Sequence, residues 1–283
     1  MIPIFVGGTG RSGTTITLEL LAQHSKVYGS NPLEIHLLTH NDGLLDSLDC
    51  LNLTKFKNKI EDTWLKQTKQ TAGLYSSILK EDMDLMIKEL DHNFKTNPVN
   101  AVRVFYLNTF IKQQTIKDGS IYFGDSTPST IRFSDKIKKI FPESKFINMY
   151  RDGRDAAYSM YKMRDNFSIL GEKNEIDALK LWYKRMSDGH KALINIDKES
   201  HISIRVENLV SNDRNSSIKK ILNFLSIEKE DKFIEFFNNE VTENSMSVGE
   251  WKNNLKNWKE FDNTYTEMIN NLNKQGIFIE KYY

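Results

Sequence analysis

Residues 4–15 read IFVGGTGRSGTT, an apolar run that breaks into glycines and then into Ser12, Gly13, Thr14 and Thr15. Residues 3–6 (PIFV) suit a short buried strand, and Gly13 to Gln23 the helix that follows it. In a strand, glycine loop and helix start, backbone N–H groups and the positive end of a helix converge on one anion. Gly10 and Gly13 let this backbone fold tightly, while Ser12, Thr14 and Thr15 add hydroxyl donors. Arg11 adds a planar cation matched to paired phosphate or sulfate oxygens. Three phosphate-binding readings fit the loop. Gly8 to Gly13 is formally G-x-G-x-x-G. The same two glycines have Walker A spacing, with Thr14 where the lysine belongs. In the third reading, the loop carries its own charge through Arg11.

The dinucleotide reading requires an acidic residue at the end of a second strand about twenty positions on. Glu34 has that spacing, but SNPLE before it is a turn. The nucleoside-triphosphate reading lacks its lysine and lacks a clear apolar strand ending in a metal-binding aspartate. Working outward, residues 145–164 (KFINMYRDGRDAAYSMYKMR) read as a strand over 145–150, a sharp turn and a helix from about Arg154. Arg151 then stands at the carboxyl end of a strand, where open parallel sheets bind ligands. Ser159, just over two helical turns on, can join Arg151 in clasping a second phosphate.

Other apolar runs, AVRVFY (101–106), SIYFG (120–124) and HISIRV (201–206), read as further strands. Helical patterns lie around 130–140, 153–164 and 175–197. This alternation predicts an α/β fold, one domain over 1–283 with a central parallel sheet flanked by helices. Residues 40–98 are polar and helix-prone, with Leu85, Ile87, Leu90 and Phe94 at amphipathic spacing. They read as a helical insertion near an acceptor cleft.

With 39 basic and 38 acidic residues the chain is nearly neutral, which argues against nucleic acid or an anionic membrane as partner. Cys50, the only cysteine, excludes an internal disulfide and reads as a buried or inert thiol. No run approaches the ~20 apolar residues of a membrane span, and the first residues lack a signal-peptide pattern, so a cytoplasmic protein is expected. Trp64, Trp182 and Trp258 read as core or partly buried aromatics. His24, His92, His190 and His201 form no ligand grouping. His36 and His40 share the spacing of a helix face, but a zinc site there would need a third ligand.

The two motifs together, VGGTGRSGTT and YRDGRDAAYS, resemble the sulfotransferases that use 3′-phosphoadenosine 5′-phosphosulfate (PAPS), whose product is PAP. SVGEWKNNL (247–255) is similar to that family's G-D-W-K-N segment, and RVENLV (205–210) to its R-Y-E-D-L strand end. The form of the first motif is closest to tyrosylprotein and carbohydrate sulfotransferases. The resemblance implies a P-loop-like sulfotransferase fold and metal-free transfer of a sulfuryl group to a hydroxyl or amine. The first motif would hold the 5′-phosphosulfate through Gly10, Arg11, Ser12, Gly13, Thr14 and Thr15. Arg151 and Ser159 would hold the 3′-phosphate, and Gly249, Trp251 and Lys252 would close over the nucleotide as a lid. Some relatives carry a lysine before the proline of the segment that here reads GDSTPST (124–130), which leaves more of the charge stabilisation to Arg11. Glu34 takes the position of the catalytic base, with His36 in reserve; Asn31-Pro32 would alternatively make Glu34 a first-turn helix carboxylate. The acceptor is open among sugar, peptide and small metabolite, and so is the oligomeric state. A small-molecule kinase with a degenerate loop, or a PAP-binding protein without catalysis, are the alternative readings.

Overall fold

The structure is a computed structural model that describes residues 1–67, 72–163, 174–279 and 281–283. Five strands, β1 (Ile2–Gly8), β2 (Val27–Gly29), β3 (Tyr122–Asp125), β4 (Lys145–Tyr150) and β5 (His201–Arg205), form one sheet in the order β2-β3-β1-β4-β5. Every pairing is parallel. Six of the seven β1 residues are buried, as expected of a central strand covered on both faces. Phe5 and Phe146 face one core layer with their rings 5.3 Å apart. Ile4, Val6, Ile147 and Met149 face the other. Gly8 brings β1 and β4 close: a Cβ there would lie 2.0 Å from the Met149 carbonyl oxygen.

The helices that concern the site are α1 (Thr14–Leu21), α2 (Lys80–Phe94), α3 (Pro98–Ile111), α4 (Gly153–Lys162), α5 (Glu175–Leu193), α6 (Glu250–Asn254) and α7 (Trp258–Lys274). From β1 the chain leads to β2 on one side of the sheet; from β4 it leads to β5 on the other. A crevice therefore opens beyond the carboxyl ends of β1 and β4.

Residues 101–106 lie within α3 and not in a strand. The Asn97 side chain accepts from the Asn100 N–H at 3.2 Å, and Pro98 takes the first helical position. Ala101, Val102, Phe105, Tyr106, Thr109 and Phe110 then bury one helical stripe. The short β2 takes the place at the sheet edge. In the 40–98 region the buried stripe of α2 is Met83, Met86, Leu90 and Phe94, while Leu85 points to solvent. Cys50 is exposed, not buried. Trp64 and Trp182 are buried, whereas Trp258 is 37% exposed.

Candidate active site

The loop after β1 has a geometry that can accept an anion. Gly10, Arg11 and Gly13 have φ of 84°, 55° and 80°, a run of left-handed residues that turns backbone N–H groups inward. Gly13 caps α1 with no side-chain acceptor, so the first-turn amides of the helix keep their free donors. The Ser12 hydroxyl turns inward, 2.7 Å from Thr9 Oγ1 and 3.2 Å from the Gly10 carbonyl, and so shapes the loop from beneath. Arg185 of α5 donates to the Thr9 carbonyl at 2.9 Å and braces the loop from the side. Within its helical stretch nothing in the sequence marked it out.

Beside the loop, Arg11 Nε donates to Ser159 Oγ of α4 at 3.0 Å. Arg151, at the end of β4 and only 7% exposed, donates to the Arg11 carbonyl at 3.4 Å and to the Ser247 carbonyl. Its Nε is buried with no hydrogen-bond partner. Burial and the neighbouring Arg151 push the Arg11 pKa down, while the charge of Glu34 opposes them. The expected loop, Arg151 and Ser159 are thus brought together at the carboxyl ends of β1 and β4.

Arg154, three residues after Arg151, has a different surrounding. Its Nε and Nη2 grip the Asp152 carboxylate at 2.9 and 2.7 Å, and its Nη1 reaches Asp262 at 2.7 Å. The guanidinium lies 4.5–5.0 Å from the ring centres of Trp251, Tyr265 and Tyr283. Glu207, fully buried in the RVENLV segment, accepts from the Asp152 N–H at 2.7 Å and from Arg205 Nε at 3.2 Å. This network fixes the turn so that Arg151 alone is turned to the crevice.

Ser247 to Lys252 also come to the site. Gly249, with φ 71°, donates its N–H to Asp155 Oδ1 at 2.9 Å and caps α6. Burial lifts the Asp155 pKa to about 6 against the opposing pull of Arg151 and the Gly249 N–H. Trp251, expected in a lid, is fully buried, its Nε1 donating to the Tyr283 hydroxyl at 2.7 Å and its ring packed on Phe261. It belongs to the core because the chain folds α7 and Tyr283 over it. Lys252 is exposed, its ammonium 4.9 Å from the Tyr283 ring.

On the opposite side of the loop, Glu34 and His36 form a pair, Oε2 to Nε2 at 3.0 Å. The segment that carries them is irregular, so Glu34 is not a helix-start carboxylate, and His36 and His40 share no helix face. Burial pushes the His36 pKa down, but the hydrogen bond to Glu34 and the charges of Glu34 and Asp125 outweigh it, and the net shift is upward. Asp125 ends β3 beside β1, where a nucleoside-triphosphate site would place its metal-binding aspartate. Its carboxylate already accepts from the Thr127 N–H and hydroxyl, the Ile35 N–H and the Tyr106 hydroxyl.

Residues 3–231 match the model of the sulfotransferase family. The chain belongs to this family. A protein-tyrosine sulfotransferase 2 of Gallus gallus is 23% identical over 231 residues, covering 81% of this chain and 52% of its own length. This chain spans between 34% and 52% of the length of curated relatives that it matches. Among solved structures, the sulfotransferase domain of the Synechococcus PCC 7002 olefin synthase superposes with a TM-score of 0.55 at 13% identity, covering 94% of this chain and 92% of that one. A sulfotransferase from Alicyclobacillus acidocaldarius gives 0.54 at 12% identity, covering 99% and 97%. At such identities these structures establish the fold: a parallel sheet with a P-loop-like turn, flanked by helices. No helix among the described residues is long and apolar enough to cross a membrane.

Proposed function

We propose that this sulfotransferase takes its sulfuryl group from PAPS and transfers it to a hydroxyl or amine of a small or extended acceptor, releasing PAP. The observation that carries this reading is the grouping of Arg151, Arg11 and Ser159 around a left-handed loop. Arg151 has a buried, unpartnered Nε there, suited to an anion. The residues fit the donor. The amides of Gly10 to Thr15 and the Arg11 guanidinium suit its 5′-phosphosulfate, and Arg151 with Ser159 suits its 3′-phosphate. Gly249 and Lys252 border the same region, with Trp251 supporting them from the core. When bound, the donor supplies the sulfuryl group and a phosphate leaving group.

The chain's own residues supply the rest. Arg11 and the loop amides, fixed before the reaction, stabilise charge that builds on sulfuryl and bridging oxygens; one such donor is typically worth ~3 kcal/mol, about a hundredfold in rate. Glu34 accepts the acceptor's proton as the new S–O or S–N bond forms and the bond from sulfur to the 5′-phosphate oxygen breaks. His36, raised in pKa beside it, holds the Glu34 carboxylate in place.

Thermal unfolding with and without PAP tests the donor assignment. At a hundred times its dissociation constant PAP should add about 2.7 kcal/mol without magnesium. Stabilisation by magnesium-ATP and not by PAP would favour a kinase, although the Asp125 carboxylate is already saturated by protein donors. Transfer of label from PAPS to acceptor pools then separates an enzyme from a binding protein and identifies the acceptor class.

A further inference from the structure

The Glu34–His36 pair sits on a loop without regular hydrogen bonding, so something else must hold it. Thr127 answers this. Its Oγ1 donates to Asp125 Oδ1 at 2.6 Å and accepts from the His36 N–H at 3.0 Å. Asp125 is an acceptor-only group surrounded by four donors, so the Thr127 hydroxyl proton points at the carboxylate and leaves a lone pair for His36. The Ile35 N–H also reaches Asp125 Oδ1, at 3.2 Å, and Tyr106 closes the far oxygen at 2.8 Å. Asp125, Thr127 and Tyr106 are 2%, 1% and 0% exposed, so these bonds have no water to compete with them.

The backbone of His36 needs such a hold. Its φ is 61°, a left-handed value that a histidine adopts at a cost when nothing over-determines it. The Leu33 carbonyl is held from the same strand end by the Ser126 hydroxyl at 3.0 Å. Residues 33, 35 and 36 are thus each tied to the end of β3 across some ninety residues of chain. Glu34 lies between them, facing Arg11.

We infer that Asp125 and Thr127 are positioning residues that hold the Glu34–His36 pair in register with the anion loop. The inference rests on the reading of Glu34 as the base, since otherwise the register has no use in transfer. The titratable groups around His36 are Glu34, Asp125 and His40, whose ring centre lies 6.3 Å away, with Arg11 beyond Glu34.

Thr127→Val keeps the shape and the carboxylate but removes the hydroxyl, and Thr127→Ser restores it. In Thr127→Val the PAP dissociation constant should stay within about twofold, while the transfer rate constant falls by about tenfold, the scale of one lost buried hydrogen bond. The His36 imidazole, followed by NMR titration, should also titrate lower as its contact with Glu34 loosens. Thr127→Ser should recover both. Tyr106→Phe, which frees one Asp125 oxygen, should move both in the same direction by less, and it serves if Thr127→Val fails to fold. An unchanged His36 titration and rate in a folded variant would overturn the inference, leaving Asp125 as packing alone. Glu34→Gln tests the base assignment separately, because the His36 titration in Thr127→Val does not depend on turnover.

Discussion

The two sides of the crevice are built by different means. On the side proposed for the donor, the loop after β1 and the turn after β4 are short stretches of chain, each continuous with a core strand. Their geometry comes mainly from backbone: left-handed loop residues, a free helix start and an arginine at a strand end. On the side proposed for the acceptor, Glu34 and His36 stand on an irregular loop that is tied to side chains from β3 and α3. A contiguous motif can carry the first kind of site through large changes elsewhere. The second kind is distributed, and its parts are recognisable only once the sheet has brought them together.

The largest expected effect strikes the floor of the donor side. Trp251→Ala should cost about 3–5 kcal/mol of stability in urea unfolding, as for other buried Trp truncations. A near-neutral result would mean that Trp251 leaves the core in solution and serves as a lid after all. Next, Arg151→Ala should weaken PAP binding by roughly 2–5 kcal/mol, because the phosphate loses a charged partner. In titration calorimetry it should weaken adenosine 5′-phosphosulfate much less, since that ligand lacks the 3′-phosphate; equal losses would place the clasp elsewhere. On the acceptor side, Glu34→Gln should bind PAP normally and lose transfer by about a hundredfold, the scale of general-base effects. Retained turnover, with loss in His36→Asn, would move the base to His36.

The smallest effect concerns Asp155, which joins the Ser247–Gly249 segment to the donor side. Its folded pKa of about 6 lies above the unfolded value near 4, so its ionised form opposes folding. That penalty should be fully present above pH 6 and relieved as the pH falls from 6 to 4. Asp155→Asn should therefore be more stable than the parent by up to about 2.7 kcal/mol at pH 7 and similar to it by pH 4. Parallel stability curves for the two proteins would show that the carboxylate is solvated and not buried.

The same contrast explains what was legible in the sequence. The anion loop, Arg151, Ser159 and strands β1, β3, β4 and β5 could be read because each lies in one run with its own turn chemistry. Residues 101–106 misled because aromatic and β-branched content suggested a strand. The Asn97-Pro98 start and the recurrence at 101, 102, 105, 106, 109 and 110 decide for a helix. The three residues of β2 are too few to show any periodicity. Asp125 was hidden because its partners Ile35 and Tyr106 lie 90 and 19 residues away in sequence. Trp251 was misplaced for a related reason: a Gly-Glu-Trp-Lys run says nothing of Phe261 and Tyr283, which cover the indole. Arg151 and Arg154 look equivalent in RDGRD, and only the burial of Asp152 beneath Arg154 tells them apart.

The aromatic enclosure of Arg154 has one further consequence. Trp251 lies 5.0 Å from that guanidinium and 5.4 Å from the Lys252 ammonium, stacked near Tyr283 with ring centres 6.4 Å apart. It also lies two residues after Gly249 and four after Ser247, the residues that Asp155 and Arg151 hold. An indole between two cations emits light at an energy set by the local field. Any rearrangement of Arg151 and its segment changes that field at the ring. Binding of the proposed donor should therefore shift the emission of Trp251, read without an added label in a variant that keeps it as the one tryptophan.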